Sequence, residues 1–291
     1  MKYPVRDRRA DLIVLRLVSA RREGHTLDKE FSAWNEAIAE AIGAVGTNDF
    51  APRIEAALRS IVDFDILMAF AYSGAEKPVC FYHNMNPERM RTVVDAYVSG
   101  PYLLDPFYGA ATGPQIDGVL RLRDLAPDQF HNSEYYRRHY VLTGIRDEVG
   151  IVCRPAGWTG VVISFTRPVA APAFGRRDLA AIRAAEPVIQ TLAKRHWRHR
   201  ASPATPAGWD TGTPPDPISE TLSRMTDGIL TPREIEITSL VLRGHSSGSI
   251  SRHLSIAEGT VKIHRKNIYQ KLDISSQSEL FAMFILQLSG Q

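Results

Sequence analysis

Between Thr260 and Leu272, the residues Val261, Ile268 and Leu272 fall on one line of a helix at about 100° per residue, so that line must face a core. The opposite face then carries Lys262, Ile263, Lys266 and Gln270, with Asn267 beside them and Thr260, His264 and Arg265 toward the flanks. Lysine can donate to guanine O6 and N7 or to phosphate, and an aliphatic side chain can lie against a thymine methyl. A helix with one buried face and this set on the other is shaped for the major groove of double-stranded DNA. An ordinary solvated basic face is the competing reading, and charge alone does not separate the two.

Two other spacings invite a catalytic or metal reading. Gly244-His-Ser-Ser-Gly248 has the look of a serine motif, yet it falls at a junction between helices. His196 and His199 stand at metal-like spacing beside a proline-rich tract, with no third ligand near. There is no Gly-rich phosphate loop, metal-ligand cluster or nucleophile elbow. Neither an enzyme nor a bound metal or cofactor is therefore expected. Cys80 and Cys153 lie far apart, which suits buried thiols in a reducing cytoplasm. At 44% hydrophobic and 23% charged residues, the 291-residue chain falls in the globular range. Its longest apolar stretches, such as Phe281–Leu286, are too short to cross a bilayer, so no membrane partner is expected. The net charge of +3 is only weak support for a polyanionic partner. Leu12–Val18 follows Lys2, Arg6, Arg8 and Arg9 but is broken by Arg16, which reads as an amphipathic helix rather than a signal peptide.

The basic face needs elements to hold it. Thr231 and Glu234 have capping-box spacing, with Pro232 at the first helical position. Ile237, Leu240 and Val241 give that helix an apolar stripe, and Gly244 ends it. A second helix spans Ser247–Leu254, and Ser255–Gly259 turns into the third, Thr260–Leu272. A fourth helix, Ser276–Leu288, carries Leu280, Phe281, Phe284, Ile285 and Leu288. That stripe is broader than one small core needs, and burial against the preceding domain is one use for it.

Upstream, Ala201–Pro217 holds five prolines among small and polar residues and reads as a linker. We expect an α+β domain over 25–198, a linker over 199–228 and an all-α domain of four helices over 229–291. In the first domain, Phe31, Trp34, Ile38, Ile42 and Val45 recur at helical spacing, as do Ile54, Leu58, Ile61 and Val62. Ile66–Tyr72 and Val79–Tyr82 read as strands joined by a turn, and Gly150–Cys153 and Gly160–Thr166 as two more. Helices are expected over Met90–Val98, over Asn132–Leu142 with Ser133 as a cap, and over Arg176–Trp197. The expected product is a small antiparallel sheet with flanking helices, PAS/GAF-like, of sensor size. Arg146-Asp147-Glu148 reads either as a surface charge cluster or as part of a pocket wall.

From Leu230 to about Leu280 the order of landmarks resembles the LuxR/GerE-type helix-turn-helix family. Leu230-Thr-Pro-Arg-Glu234, Gly244, Ile250, Glu258-Gly-Thr-Val-Lys262, His264 and Lys271-Leu272 all agree in spacing. The resemblance implies a dimeric transcription regulator whose third helix reads bases through Lys262, Ile263 and Lys266. It also implies a second use for the apolar stripe of the fourth helix, pairing in a homodimer. Thr260, His264, Arg265 and Asn267 are carried over as backbone contacts or supports. The chain departs from the family at Ser247, Ser249 and Ser251, and at Ala257, where a capping Ser or Thr is common.

Tyr97-Val-Ser-Gly-Pro-Tyr-Leu-Leu-Asp105-Pro106 resembles the Tyr…Asp-Pro segment of the autoinducer-binding domain in the same family. The resemblance implies that Asp105 hydrogen-bonds a small-molecule effector and that Tyr97, Tyr102, Phe107 and Tyr108 wall its site, with Arg146 as a further candidate. Val93 occupies the approximate position of the expected pocket Trp, so the effector need not be a homoserine lactone; another amide, amine or acid fits equally. Asp105-Pro106 also suits a plain helix cap, and the aromatics a plain core. The rival reading keeps the DNA-binding helices and makes the first domain a ligand-free interaction or dimerisation module. No series of elements fits a phosphorylatable receiver.

Overall fold

The computed structural model describes residue 29 and residues 31–74, 76–113, 117–198 and 216–288. The helix expected over Leu12–Val18 and nearly all of the proline-rich tract lie outside these residues. The chain divides into two compact units at Asp63/Phe64. Ahead of the division, helices α1 (31–43) and α2 (Phe50–Arg59) bury Ile38, Ala41, Phe50, Ile54 and Leu58. Phe31 and Ile42, which share the helical spacing, are exposed.

Beyond the division lies an antiparallel five-stranded sheet in the order β2-β1-β5-β4-β3. Its strands are β1 (Leu67–Tyr72), β2 (Val79–His83), β3 (Gly118–Arg121), β4 (Ile145–Cys153) and β5 (Gly160–Pro168). Alternate side chains of a strand point to opposite faces. Met68, Phe70 and Tyr72 of β1 therefore share a face and join one core cluster with Val152 and Val162. The main helices of this domain are α3 (87–98), α4 (Pro106–Thr112), α5 (134–141) and the long α6 (Arg176–Trp197), which lies against β3 and β4, with shorter helical turns between them. In α3 and α5 the turn widens to π-helix over Arg91–Asp95 and Arg137–Val141. Ser133 caps α5 as expected, accepting from the Tyr136 amide at 3.1 Å.

The helical domain holds five helices among the described residues, not four: α7 (Pro217–Thr226), α8 (Pro232–Arg243), α9 (Ser247–Leu254), α10 (Glu258–Lys271) and α11 (Gln277–Leu288). The added helix falls within the tract expected to be linker as far as residue 228. Its start is locally encoded, with Asp216 as cap and Pro217 at the first position. Ile218 and Leu222 are fully buried and anchor it to the helical core.

Candidate functional site

The base of α8 sets the position of α10. Thr231 and Glu234 form the expected capping box: the Thr231 amide donates to Glu234 Oε2 at 2.9 Å and the Glu234 amide to Thr231 Oγ1 at 3.3 Å. Lys271, in the last turn of α10, donates to the same Glu234 Oε2 at 2.6 Å. Burial works to raise the Glu234 carboxyl, but the bonds from Lys271 and Thr231 outweigh it and hold it below its ordinary value. Gly244 closes α8 in the left-handed region at φ +94°. Ser246 caps α9 by accepting from the Ser249 amide at 3.0 Å.

On α10, Val261 and Ile268 are buried and Leu272 is packed at the edge of the same core. Thr260, Lys262, Ile263, Lys266, Asn267 and Gln270 are exposed. Ile263, at 63% exposure, is a large aliphatic side chain offered to solvent among cations. Lys262 pairs along the helix with Glu258 at 2.7 Å, both side chains well exposed. His264 and Arg265 are half-buried, and Arg265 reaches Ser247 Oγ on α9 at 3.2 Å, a contact between the two helices. Ala257 stands at the start of α10 without a side-chain cap, as its type dictates.

The second site is a cavity of about 10 Å³ between the sheet and helices α3 to α5, room for about one water. Met68, Phe70, Tyr72, Glu148, Val162 and Ser164 line it from the strands. Val93 and Tyr97 of α3, Asp105 and Phe107 at the start of α4, and His139 of α5 complete the wall. The Tyr97 hydroxyl donates to Asp105 Oδ2 at 2.7 Å and lies 2.8 Å from the Tyr72 hydroxyl. Asp105 Oδ1 accepts from the Phe107 amide at 2.8 Å, so this carboxylate both caps α4 and lines the cavity. Tyr140 donates to Glu148 Oε2 at 2.7 Å. Burial pushes Asp105 up to about 6. Burial and the Asp105 charge together push Glu148 up to about 8, and burial lowers His139 to about 4.

Of the residues expected here, Tyr97, Asp105 and Phe107 line the cavity. Tyr102 and Tyr108 are buried but stand behind it, their rings 5.3 Å apart and packed on Tyr97 and Tyr72 respectively. Arg146 is outside: it is exposed and donates to the Val169 carbonyl at 3.3 Å. The register of β4 on β5 skips from Ile145 to Asp147, so Arg146 is the extra residue of a bulge and the expected alternation fails there. Past the bulge, Asp147 turns to Arg121 and the Phe174 amide while Glu148 faces the cavity. Of the triplet Arg146-Asp147-Glu148, only Glu148 lines the cavity; His139, Tyr72 and Ser164 were not anticipated as wall residues.

The two domains are docked. Gly244 O accepts from the Gln129 amide at 2.9 Å, and Ser278 donates to Glu134 at 2.7 Å. The Arg138 guanidinium lies 5.3 Å over the ring of Phe281, which is buried on α11. Leu288 of α11 packs beside Gly100. Of the two uses open to the apolar stripe of α11, burial against the preceding domain is the one seen.

Residues 228–284 match the family described as bacterial regulatory proteins, luxR family. A protein of Aeromonas salmonicida, named as an HTH-type transcriptional regulator in the exeN 3'region, is 28% identical over 189 residues, covering 63% of this chain and 94% of that protein. The HTH-type transcriptional regulator MalT of Vibrio campbellii is 40% identical over 63 residues, which are 21% of this chain but only 7% of MalT. Among solved structures, the VqsR LBD domain from Pseudomonas aeruginosa aligns with a TM-score of 0.50 and 22% identity, over 56% of this chain and 96% of that domain. That likeness establishes the fold of the sheet domain. With a matching family model laid over the capped, docked helices that present α10, residues 228–284 form a luxR-family helix-turn-helix domain that follows an antiparallel-sheet domain.

Proposed function

We propose that this chain is a cytoplasmic, homodimeric transcription regulator that reads double-stranded DNA with α10 and responds to a small molecule held in its PAS/GAF-like sheet domain. The observation that carries the DNA reading is the solvent face of α10. Lys262, Ile263, Lys266, Asn267 and Gln270 stand exposed together while Val261 and Ile268 hold the opposite face in the core. Lys262, Ile263 and Lys266 are the base-reading positions in this proposal, with Thr260 and Asn267 as backbone contacts. His264 and Arg265, half-buried, act more as supports. Selection of binding sequences from a random duplex pool, followed by titration of the enriched site, tests it; no enrichment overturns it.

The sensor reading is supported by convergent polar groups in a buried cavity and by the fold shared with a domain named as an LBD. Mass spectrometry of small molecules that co-purify with the protein tests this part. A ligand-free interaction module is favoured by one observation, that the cavity as it stands is only about 10 Å³. Co-purification of no small molecule, with full DNA binding retained, decides for that module.

A further inference from the structure

The cavity wall contains two carboxylates and no cation. Asp105 and Glu148 are both buried, and among the described residues neither forms an ion pair with Lys or Arg. The remaining polar groups of the wall are tyrosine hydroxyls, Ser164 and His139, whose ring nitrogens take no hydrogen bond among the described residues. The Tyr135 ring stacks on His139 with centroids 5.3 Å apart. Its hydroxyl is fully buried without a hydrogen-bond partner and lies in the field of both carboxylates. A buried anion left without a cation is costly, and a buried hydroxyl without a partner adds to that.

The outer wall of the cavity is formed by the two π-helical segments, which supply Val93 and His139. π-Helical turns concentrate at functional sites, because the widened turn leaves backbone and side chains out of the regular ladder. Outside the same wall lies a surface cleft of about 240 Å³, reached by Arg89, Thr92, Leu142 and Thr143 and sharing Val93 with the cavity. A head group in the cavity can thus carry a tail that leaves between the two widened turns.

We propose that the cavity binds the ammonium group of a small primary amine, with Asp105 and Glu148 as its counter-ions and the tail of the amine directed past Val93 into the cleft. The proposal rests on the ligand-sensing reading of this cavity and adds the chemical class of the ligand. An ammonium group is close to water in size and donates three hydrogen bonds, which matches the space and the acceptors present. Because burial holds Glu148 near 8, it carries its proton at neutral pH in the empty site and gives it up when a cation arrives.

Calorimetric titration of the full chain at pH 7 with n-butylammonium, N-butylacetamide and butyrate tests this. Butylammonium should bind at least tenfold more tightly than the other two. Its binding enthalpy should differ between Tris and phosphate buffers because a proton is released. Glu148→Gln keeps an acceptor for Tyr140 and should weaken butylammonium tenfold or more while removing the buffer dependence; Asp105→Asn, which keeps the acceptor for the Phe107 amide and turns its NH2 to the Tyr97 hydroxyl as a donor, should weaken it likewise. Tighter binding of N-butylacetamide or butyrate overturns the amine assignment and leaves the sensor reading standing. Binding of none of the three, or butylammonium binding unchanged in both variants, also overturns it; the sensor reading is then decided by co-purification.

Discussion

The carboxylate of Asp128 accepts hydrogen bonds from both the backbone amide, at 2.9 Å, and the hydroxyl of Ser246. Ser246 is the cap of α9, so a residue of the sheet domain holds the start of a helix in the DNA-binding domain. Burial works to raise Asp128, but the Ser246 bonds outweigh it and keep the carboxyl below its ordinary value. Asp128→Ala should cost little global stability, about 1 kcal/mol or less, because the pair is exposed. Amide exchange at Ser246 and Ser249 should nevertheless rise well above wild type. Unchanged exchange at both would show that the tie does not hold α9.

Lys262→Ala and Lys266→Ala should each weaken operator binding about tenfold or more while leaving the melting temperature unchanged, since both side chains are exposed. The slope of log K against log salt should fall by about 1 for each lysine that contacts a phosphate. Fluorescence anisotropy over a range of salt concentrations measures both. Full affinity in both variants removes this face from the interface.

Much of the helical domain was legible because its signals are local. Thr231, Pro232, Glu234 and Gly244 act within one or two turns of where they stand, and the line through Val261 and Ile268 needs only helical period. The cavity was less legible. Glu148 sits in a charged triplet that reads either as surface cluster or as pocket wall, and only the bulge at Arg146 settles which residue turns inward. The first half of β4 was hidden by the same charges. β3 was missed because Gly118–Arg121 is four residues with a buried arginine at its end. The docking of α11 depends on contacts across more than a hundred residues, such as Ser278 to Glu134, which no local pattern encodes.

Gly244 serves two purposes, and alanine should fail at both. Its φ of +94° disfavours a side chain, at about 1 kcal/mol, and an added Cβ would stand 2.8 Å from Phe130 Cα. Backbone cannot yield there without shifting the domain docking. Gly244→Ala should therefore lower stability by about 2 kcal/mol or more in urea unfolding. A loss below about 1 kcal/mol would mean that the domains separate freely.

The cavity should make stability fall as pH rises above neutrality. Glu148 at about 8 and Asp105 at about 6 bind more protons folded than unfolded, so their contribution is complete at acid pH and is lost as pH rises through those values. His139 at about 4 works oppositely, since it binds fewer protons folded, and His245, lowered by burial, acts in the same sense as His139. Those two effects end near the unfolded histidine value of about 6.5. Between about 6.5 and 8 Glu148 is the main contributor among the described residues, with the tail of Asp105 acting in the same sense, and the melting temperature of wild type should decline there. Glu148→Gln should flatten that decline; an equal slope in both proteins would mean that Glu148 is ionised throughout.

Tyr135 gives the sharpest separation between a structural and a ligand-binding role. Its hydroxyl is buried and unpartnered, so Tyr135→Phe removes a desolvated donor and should leave stability unchanged or raise it by about 1 kcal/mol. Tyr97→Phe is the contrast, because that hydroxyl donates to Asp105 at 2.7 Å, and its loss should cost about 2 kcal/mol. If the cavity takes an ammonium head group, Tyr135→Phe should lower affinity for butylammonium even as it preserves the fold. Chemical denaturation of both variants, with and without saturating butylammonium, reads the two effects separately. A loss of stability on Tyr135→Phe as large as that of Tyr97→Phe would show that the hydroxyl already has a partner within the fold.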